Sequence, residues 1–176
     1  MSDNDCLLLG LAGTFTDVVG PDGKQMLTPV VSTNQPVKRR SKSFLVSDAA
    51  TAGTAVTELC VGRADSPGGA KIISVTVAAP IAVTAVDANF ATFTLSKRTA
   101  GGAATICATQ TTKTSGSGGV GNMAAFVDTA LTLQAAAAIT LASGDTMTFL
   151  ISKGGTGVAL TAATSQVGVT VVYEEV

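Results

Sequence analysis

The side chains able to do chemistry in this chain are few and scattered. None of its 176 residues is histidine, which removes the commonest general base, the Ser–His and Cys–His nucleophile pairs and the usual zinc ligand. The three cysteines, Cys6, Cys60 and Cys107, are too few for a four-thiolate metal site and too widely spaced for a disulfide framework. The carboxylates Asp48, Glu58, Asp65, Asp87, Asp128 and Asp145 stand singly. A two-carboxylate glycosidase site would need a pair of them to meet in space, in a cleft whose aromatic side chains stack on sugar, and aromatics make up only 4% of the chain. The expectation is therefore a non-enzyme with no catalytic residue, no cofactor and no metal.

Three further features could suggest chemistry. Gly116-Ser117-Gly118-Gly119-Val120-Gly121 fits G-x-G-x-x-G literally, but dinucleotide binding needs a strand before it, a helix after it and a βαβ unit with an acidic ribose partner. No parallel-sheet pattern surrounds it, and with 19 glycines in the chain the plain reading is a flexible hairpin loop. Asp145, after Gly144, lacks the alternating Asp/Asn of a calcium loop and reads as a turn cap. The dense charge cluster is Lys38-Arg39-Arg40-Ser41-Lys42. No aromatic residues interleave with it to stack bases. It reads either as a solvated basic linker or as a contact for an acidic protein surface, with nucleic acid not expected.

The elements that must position these residues are strands. From about Phe44 onward, short alternating runs are separated by turn residues, the all-β signature. Ala55-Val56-Thr57-Glu58-Leu59-Cys60-Val61 ends at the turn cluster Asp65-Ser66-Pro67-Gly68-Gly69. Lys71-Ile72-Ile73-Ser74-Val75-Thr76-Val77 is expected to turn Ile73, Val75 and Val77 inward. Ala91, Phe93 and Leu95 share one face of the next run, and Ala104-Thr105-Ile106-Cys107-Ala108-Thr109 follows it. Cys60 and Cys107 fall in these strands, where a reduced thiol acts as a small hydrophobe. Further runs are Leu131-Thr132-Leu133, Ile139-Thr140-Leu141, Thr146-Met147-Thr148-Phe149-Leu150-Ile151, and a closing strand with Val167, Val169, Val171 and Tyr173 on one face. Some eight strands at this spacing predict an antiparallel β-sandwich, jelly-roll-like, over residues 44–176. A short helix is allowed near residues 123–130, where alanines gather.

Residues 1–43 lack sustained periodicity. Pro21, Pro29 and Pro36 exclude central strands and regular helix, so the segment reads as an extended arm with short strands near residues 7–11 and 26–31. Its apolar anchors would be Leu7, Leu8, Leu9 and Leu11. Its charged contacts would be Lys38, Arg39, Arg40 and Lys42.

Composition points to a covered surface. Hydrophobic residues are 46% of the chain and charged residues 13%, about half the usual charged share for a soluble domain. A surface so poor in ions suits a protein coated by neighbours better than a free monomer. A net charge of -1 gives no global pull toward nucleic acid or anionic lipid. No apolar run approaches the roughly 18–20 residues of a membrane span. Leu7 to Leu11 follow Asp3 and Asp5 rather than a basic region, so export is not indicated.

Several strand and turn patterns lie between Gly69 and Val176: Lys71 to Val77 with Pro80, Val86-Asp87-Ala88-Asn89-Phe90 leading into Thr94-Leu95-Ser96-Lys97, Leu131-Thr132-Leu133, Ala142-Ser143-Gly144-Asp145-Thr146, and Gly155-Thr156-Gly157-Val158-Ala159. Together they resemble the β-sandwich decoration, or cement, proteins of tailed-bacteriophage capsids. Thr161-Ala162-Ala163 stands where that family usually has a proline. The resemblance implies a virion protein made in the host cytoplasm and seated on the capsid surface. It would bind the major capsid protein, often as a homotrimer, and stabilise the shell against internal pressure. A phage fibre, tail or receptor-binding module is the rival reading, and a bacterial surface subunit a second.

Three weakly binding arms on one trimer would gain roughly 10²–10⁴-fold in avidity, so a short arm suffices. Deleting residues 1–43 is then expected to leave a folded sandwich that no longer decorates particles; full occupancy by the truncated protein in a particle-binding assay would contradict the arm model.

Overall fold

The computed structural model describes residues 15–19, 25–29, 38–47, 58–114, 121–155 and 166–176. The chain divides into two units, Met1–Val37 and Lys38–Val176. In the first, β1 (Phe15–Val19) and β2 (Gln25–Pro29) form an antiparallel pair in which Phe15 lies opposite Pro29. A two-stranded sheet has only edges, so the missing N–H of Pro29 is tolerated there.

The second unit holds two antiparallel sheets. Its strands are β3 (Lys38–Ser47), β4 (Leu59–Arg63), β5 (Ala70–Ala78), β6 (Asn89–Arg98), β7 (Thr105–Thr111), the two-residue strands β8 (Thr129–Ala130), β9 (Thr132–Leu133) and β10 (Thr140–Leu141), then β11 (Thr146–Gly155) and β12 (Gln166–Glu175). One sheet runs β10-β5-β12-β3, with β8 also on β5; the other runs β4-β11-β6-β7-β9. The pairs β3·β12, β4·β11, β5·β10 and β6·β7 are nested in sequence. A long antiparallel double strand rolled up in this way is the jelly roll, so the expected all-β sandwich is the observed one.

Period-2 alternation decides which side chains enter the core. Val167, Val169, Val171 and Tyr173 on β12 face inward, as do Ala91, Phe93 and Leu95 on β6 and Met147, Phe149 and Ile151 on β11. Each fully buried Val, Leu, Ile or Phe contributes about 1.5–3 kcal/mol. Across the two sheets Phe44 meets Phe149 edge-on, with ring centroids 6.2 Å apart.

Local departures from alternation come from pairing. On β5 a bulge opposite Val172 and Tyr173 inserts one residue, so Ile72, and not Ile73, joins Val75 and Val77 in the core. No helix forms over residues 123–130. Met123 exchanges both backbone hydrogen bonds with Val83, the Phe126 N–H donates to the Ala79 carbonyl, and the Leu131 N–H donates to the Val75 carbonyl. Those cross-chain partners satisfy the backbone better than a short alanine helix would. The helix α1 (Ala136–Ile139) falls instead on the next alanine run, and the Lys97 ammonium donates to the carbonyls of Ala137 and Thr140 at its end.

Two turns are demanding. Ala100 and Gly101 both have positive φ, at 47° and 76°, and the Gly102 N–H closes on the Thr99 carbonyl, a type I′ hairpin turn. Asp145 is buried beside the turn into β11. Its carboxylate accepts from the Thr99 hydroxyl and the Ala142 N–H, as the capping role requires. Gly69, at φ 85°, lies so close to Leu141 that a Cβ would stand 2.1 Å from its carbonyl oxygen.

Two placements differ from the sequence reading. The sandwich starts at Lys38, within the stretch assigned to the arm, so a truncation that spares β3 ends at Val37. Cys107 is buried, its thiol pushed up to about 11 by desolvation and donating to the Ala138 carbonyl at 3.2 Å, whereas Cys60 is exposed on β4. Alternation explains the contrast: adjacent faces of a pleat meet core and solvent in turn.

Glu58 joins three strands of the second sheet. Preceding β4, it accepts hydrogen bonds from Arg98 on β6 and Thr148 on β11. The Arg98 hydrogen bond is the main reason its pKa lies below the ordinary 4.5; desolvation opposes it. A depressed folded pKa stabilises above the unfolded value and is lost as pH falls through the folded one. The stability gap between wild type and Glu58→Gln in urea titrations is therefore expected to be widest at neutral pH and to close on acidification. Gly69→Ala should cost about 2–5 kcal/mol, combining left-handed strain with a backbone clash, read as a lower urea midpoint.

Candidate functional site

The basic cluster comes first, because the sequence reading gave it a docking role. Lys38, Arg39, Arg40 and Lys42 all lie on β3, which pairs with β12 along its length, from Lys38 opposite Glu175 to Ser47 opposite Gln166. Arg39 bonds Glu174 at 2.8 Å and Arg40 bonds Glu175 at 3.0 Å, with Lys38 4.0 Å from Glu175. Lys42 shares the face of the strand that carries Lys38 and Arg40, its ammonium 6.0 Å from the Tyr173 ring centroid, while Arg39 takes the opposite face. Much of the cluster's charge is thus engaged within the sandwich. Exposed pairs of this kind contribute little to stability; they fix which residues of β3 and β12 meet. Leu7, Leu8, Leu9 and Leu11 lie outside the described residues, as do Gly116 to Val120 of the glycine-rich loop.

The surface feature that does stand out is apolar. On the outer face of the first sheet, Leu45, Gly168 and Ala78 form one cross-strand row. Gly168 and Ala78 are too small to fill the pleat, so the row sinks between Leu45 on one side and Pro80 and Phe126 on the other. The hollow measures about 270 Å³, with Gln166 at its margin. A second hollow of about 330 Å³ continues it along the face past Ser43 and Thr170 toward Asp128. Leu45 is 76% exposed and Phe126 80% exposed. Ile81 and Val127, next to Pro80 and Phe126 in sequence, are exposed as well.

Phe126 is held there by its backbone. Its φ is 57°, a conformation that costs a non-glycine residue roughly 1–2 kcal/mol and is an outlier for a bulky side chain. The hydrogen bond from its N–H to the Ala79 carbonyl, at 2.8 Å, keeps the segment against β5. At 80% exposure the Phe126 ring gains little from burial within the chain itself, while its backbone carries the strain. Such a ring beside an open apolar hollow has the chemistry of a contact that buries side chains of another surface. The sequence reading missed it, because nothing in Ala124-Ala125-Phe126-Val127 separates an outward phenylalanine from a core one.

In chemical terms, this face can bury apolar side chains and offer hydroxyls and one carboxylate at its border. Among the described residues there is no group of three or more His, Cys, Asp or Glu side chains placed to hold a metal ion. No described helix is long and apolar enough to cross a membrane.

No protein-family model matches the chain, and no curated protein sequence matches it. Among solved structures it is similar to a chain in "Structure of infectious bursal disease virus Gx strain", at 16% identity and a TM-score of 0.33, over 93% of this chain and 42% of that one. It is likewise similar to a chain in "Structure of infectious bursal disease virus Gt strain", at 15% identity and a TM-score of 0.31, over 94% of this chain and 43% of that one. The present chain spans less than half the length of either.

Proposed function

We propose that this protein is a structural subunit of a virus particle that binds neighbouring protein subunits, and that it acts as a decoration protein stabilising a capsid shell. The observation that carries the reading is the Leu45–Phe126 hollow, an exposed apolar seat maintained against backbone strain. A charged share of only 13% supports it, since a surface this poor in ions favours coverage by other subunits. So does the jelly roll, whose two sheets hold that outer face in place, together with the resemblance of the strand and turn patterns to capsid decoration proteins. The major capsid protein is the proposed partner and the capsid surface the proposed location. The arm supplies the second point of attachment in this reading.

In mechanism, the protein does no covalent chemistry. Apolar side chains of the shell enter the hollow and displace water from Leu45, Pro80 and Phe126, and burial contributes about 25 cal/mol per Å² of apolar surface removed from water. The Ser43 and Thr170 hydroxyls at the border keep the rim satisfied, by water or by the partner.

Subunit counting by mass spectrometry of purified particles tests the role: a decoration protein is present in many copies per particle, a fibre or tail module in few. Phe126→Gly tests the seat. Glycine accepts the positive φ at no steric cost, so the variant is expected to keep or slightly raise its melting temperature while particle binding drops by about tenfold or more. Unchanged binding with the ring removed would rule the hollow out as the docking seat.

A further inference from the structure

The four sheet edges of the sandwich are not equally protected. At one edge of the first sheet, β8 and β10 are two residues each, and in the second sheet β9 is two residues and β4 five, with a register shift in its pairing to β11. Short or irregular edges of this kind resist the addition of another strand. The remaining edge is β3, ten residues paired to β12 without any register shift. Among the described residues β3 pairs with β12 alone. Among those residues its other side is left with a row of unpaired backbone N–H and C=O groups.

The charges on β3 are unevenly placed. Lys38, Arg39, Arg40 and Lys42 occupy its first half, while Ser43-Phe44-Leu45-Val46-Ser47 carries no charge. A second β3 added in parallel would set cation against cation. Added antiparallel, it sets the basic half of each strand beside the neutral half of the other. A two-fold axis perpendicular to the sheet requires opposed residues to share a face, which limits the registers. Centring on Lys42 opposes that lysine to its own copy. Centring on Phe44 avoids like charges but shortens the overlap. Centring on Ser43 places Lys42 opposite Phe44, Ser41 opposite Leu45, Arg40 opposite Val46 and Arg39 opposite Ser47, with no cation facing a cation.

We propose that β3 is the seat of a two-fold antiparallel contact with a second copy of this chain, centred on Ser43, joining two sheets into one through β12-β3-β3-β12. The contact is isologous and closes on itself, so it yields a dimer and not an open fibre. It uses the backbone edge of the sheet, not the ring of Phe126, although Ser43 and Leu45 also border the docking hollow.

Sedimentation of the full chain across a concentration series tests it. The expected species has twice the 17.4 kDa chain mass. Ser43→Lys puts like charges on the axis and should weaken the dimer by about tenfold or more, while Ser74→Lys, on the outer face of the same sheet but away from the edge, should not. Circular dichroism checks that both variants fold. Hydrogen exchange on wild-type protein supplies a readout free of mutation: protection of amides in residues 39–47 should fall on dilution. A monomer at all concentrations, a trimer, a dimer indifferent to Ser43→Lys, or protection in 39–47 that ignores dilution would each overturn the proposal. A dimer broken by Ser74→Lys instead would assign the contact to the sheet face.

Discussion

The seating of β12 between β3 and β5 is the interaction on which the sandwich depends. That strand pairs along its whole length with β3 and along most of it with β5, and its four inward side chains, Val167, Val169, Val171 and Tyr173, sit in the middle of the core. Joining residues 38–47 to 166–175 closes nearly the whole unit into one loop, which is entropically expensive and places the fold among those dominated by non-local contacts. The compensation is alternate burial on two neighbours at once. The C-terminus is fixed by the same arrangement: the Val176 N–H donates to the Gly69 carbonyl and the Ser66 hydroxyl donates to the Val176 carbonyl, in the crowded corner where Gly69 has no room for a side chain.

The two faces of that sheet answer to different demands. The inner face is uniform because water must be excluded from it. The outer face is graded: charged at the Arg39–Glu174 end, hydroxyl-bearing around Ser43 and Thr170, whose side chains hydrogen-bond at 2.9 Å, and apolar at Leu45. Small residues produce the hollow, since Gly168 and Ala78 leave the pleat unfilled, and the strained turn at Phe126 supplies its wall. In the other sheet, Gln110 on β7 is 2% exposed, and among the described residues its side-chain oxygen has no hydrogen-bond partner. Such a group costs stability.

Much of the architecture was legible from residue order. Alternation over residues 71–77, 91–97, 146–151 and 167–173 located β5, β6, β11 and β12, and turn chemistry at Asp65 to Gly69 and Ser143 to Asp145 marked where β5 and β11 begin. Four places mark where that legibility stopped. Ile72 replaced Ile73 in the core because a bulge depends on the partner strand. Lys38, Arg39 and Arg40 found Glu174 and Glu175 because two segments far apart in sequence lie side by side. Cys60 turned outward, and a loop took the place of a helix near Phe126 because β5 offered its backbone better partners.

The amino-acid sequence by itself determined that this is an all-β chain with an apolar, ion-poor character and no histidine-based chemistry, because strand period, turn residues and side-chain inventory are local properties. Only the tertiary structure decided which strands are neighbours, which described strands lie at the sheet edges and which apolar side chains remain in water. Those follow from pairing between distant segments, and a period of two is the same whichever strand lies alongside.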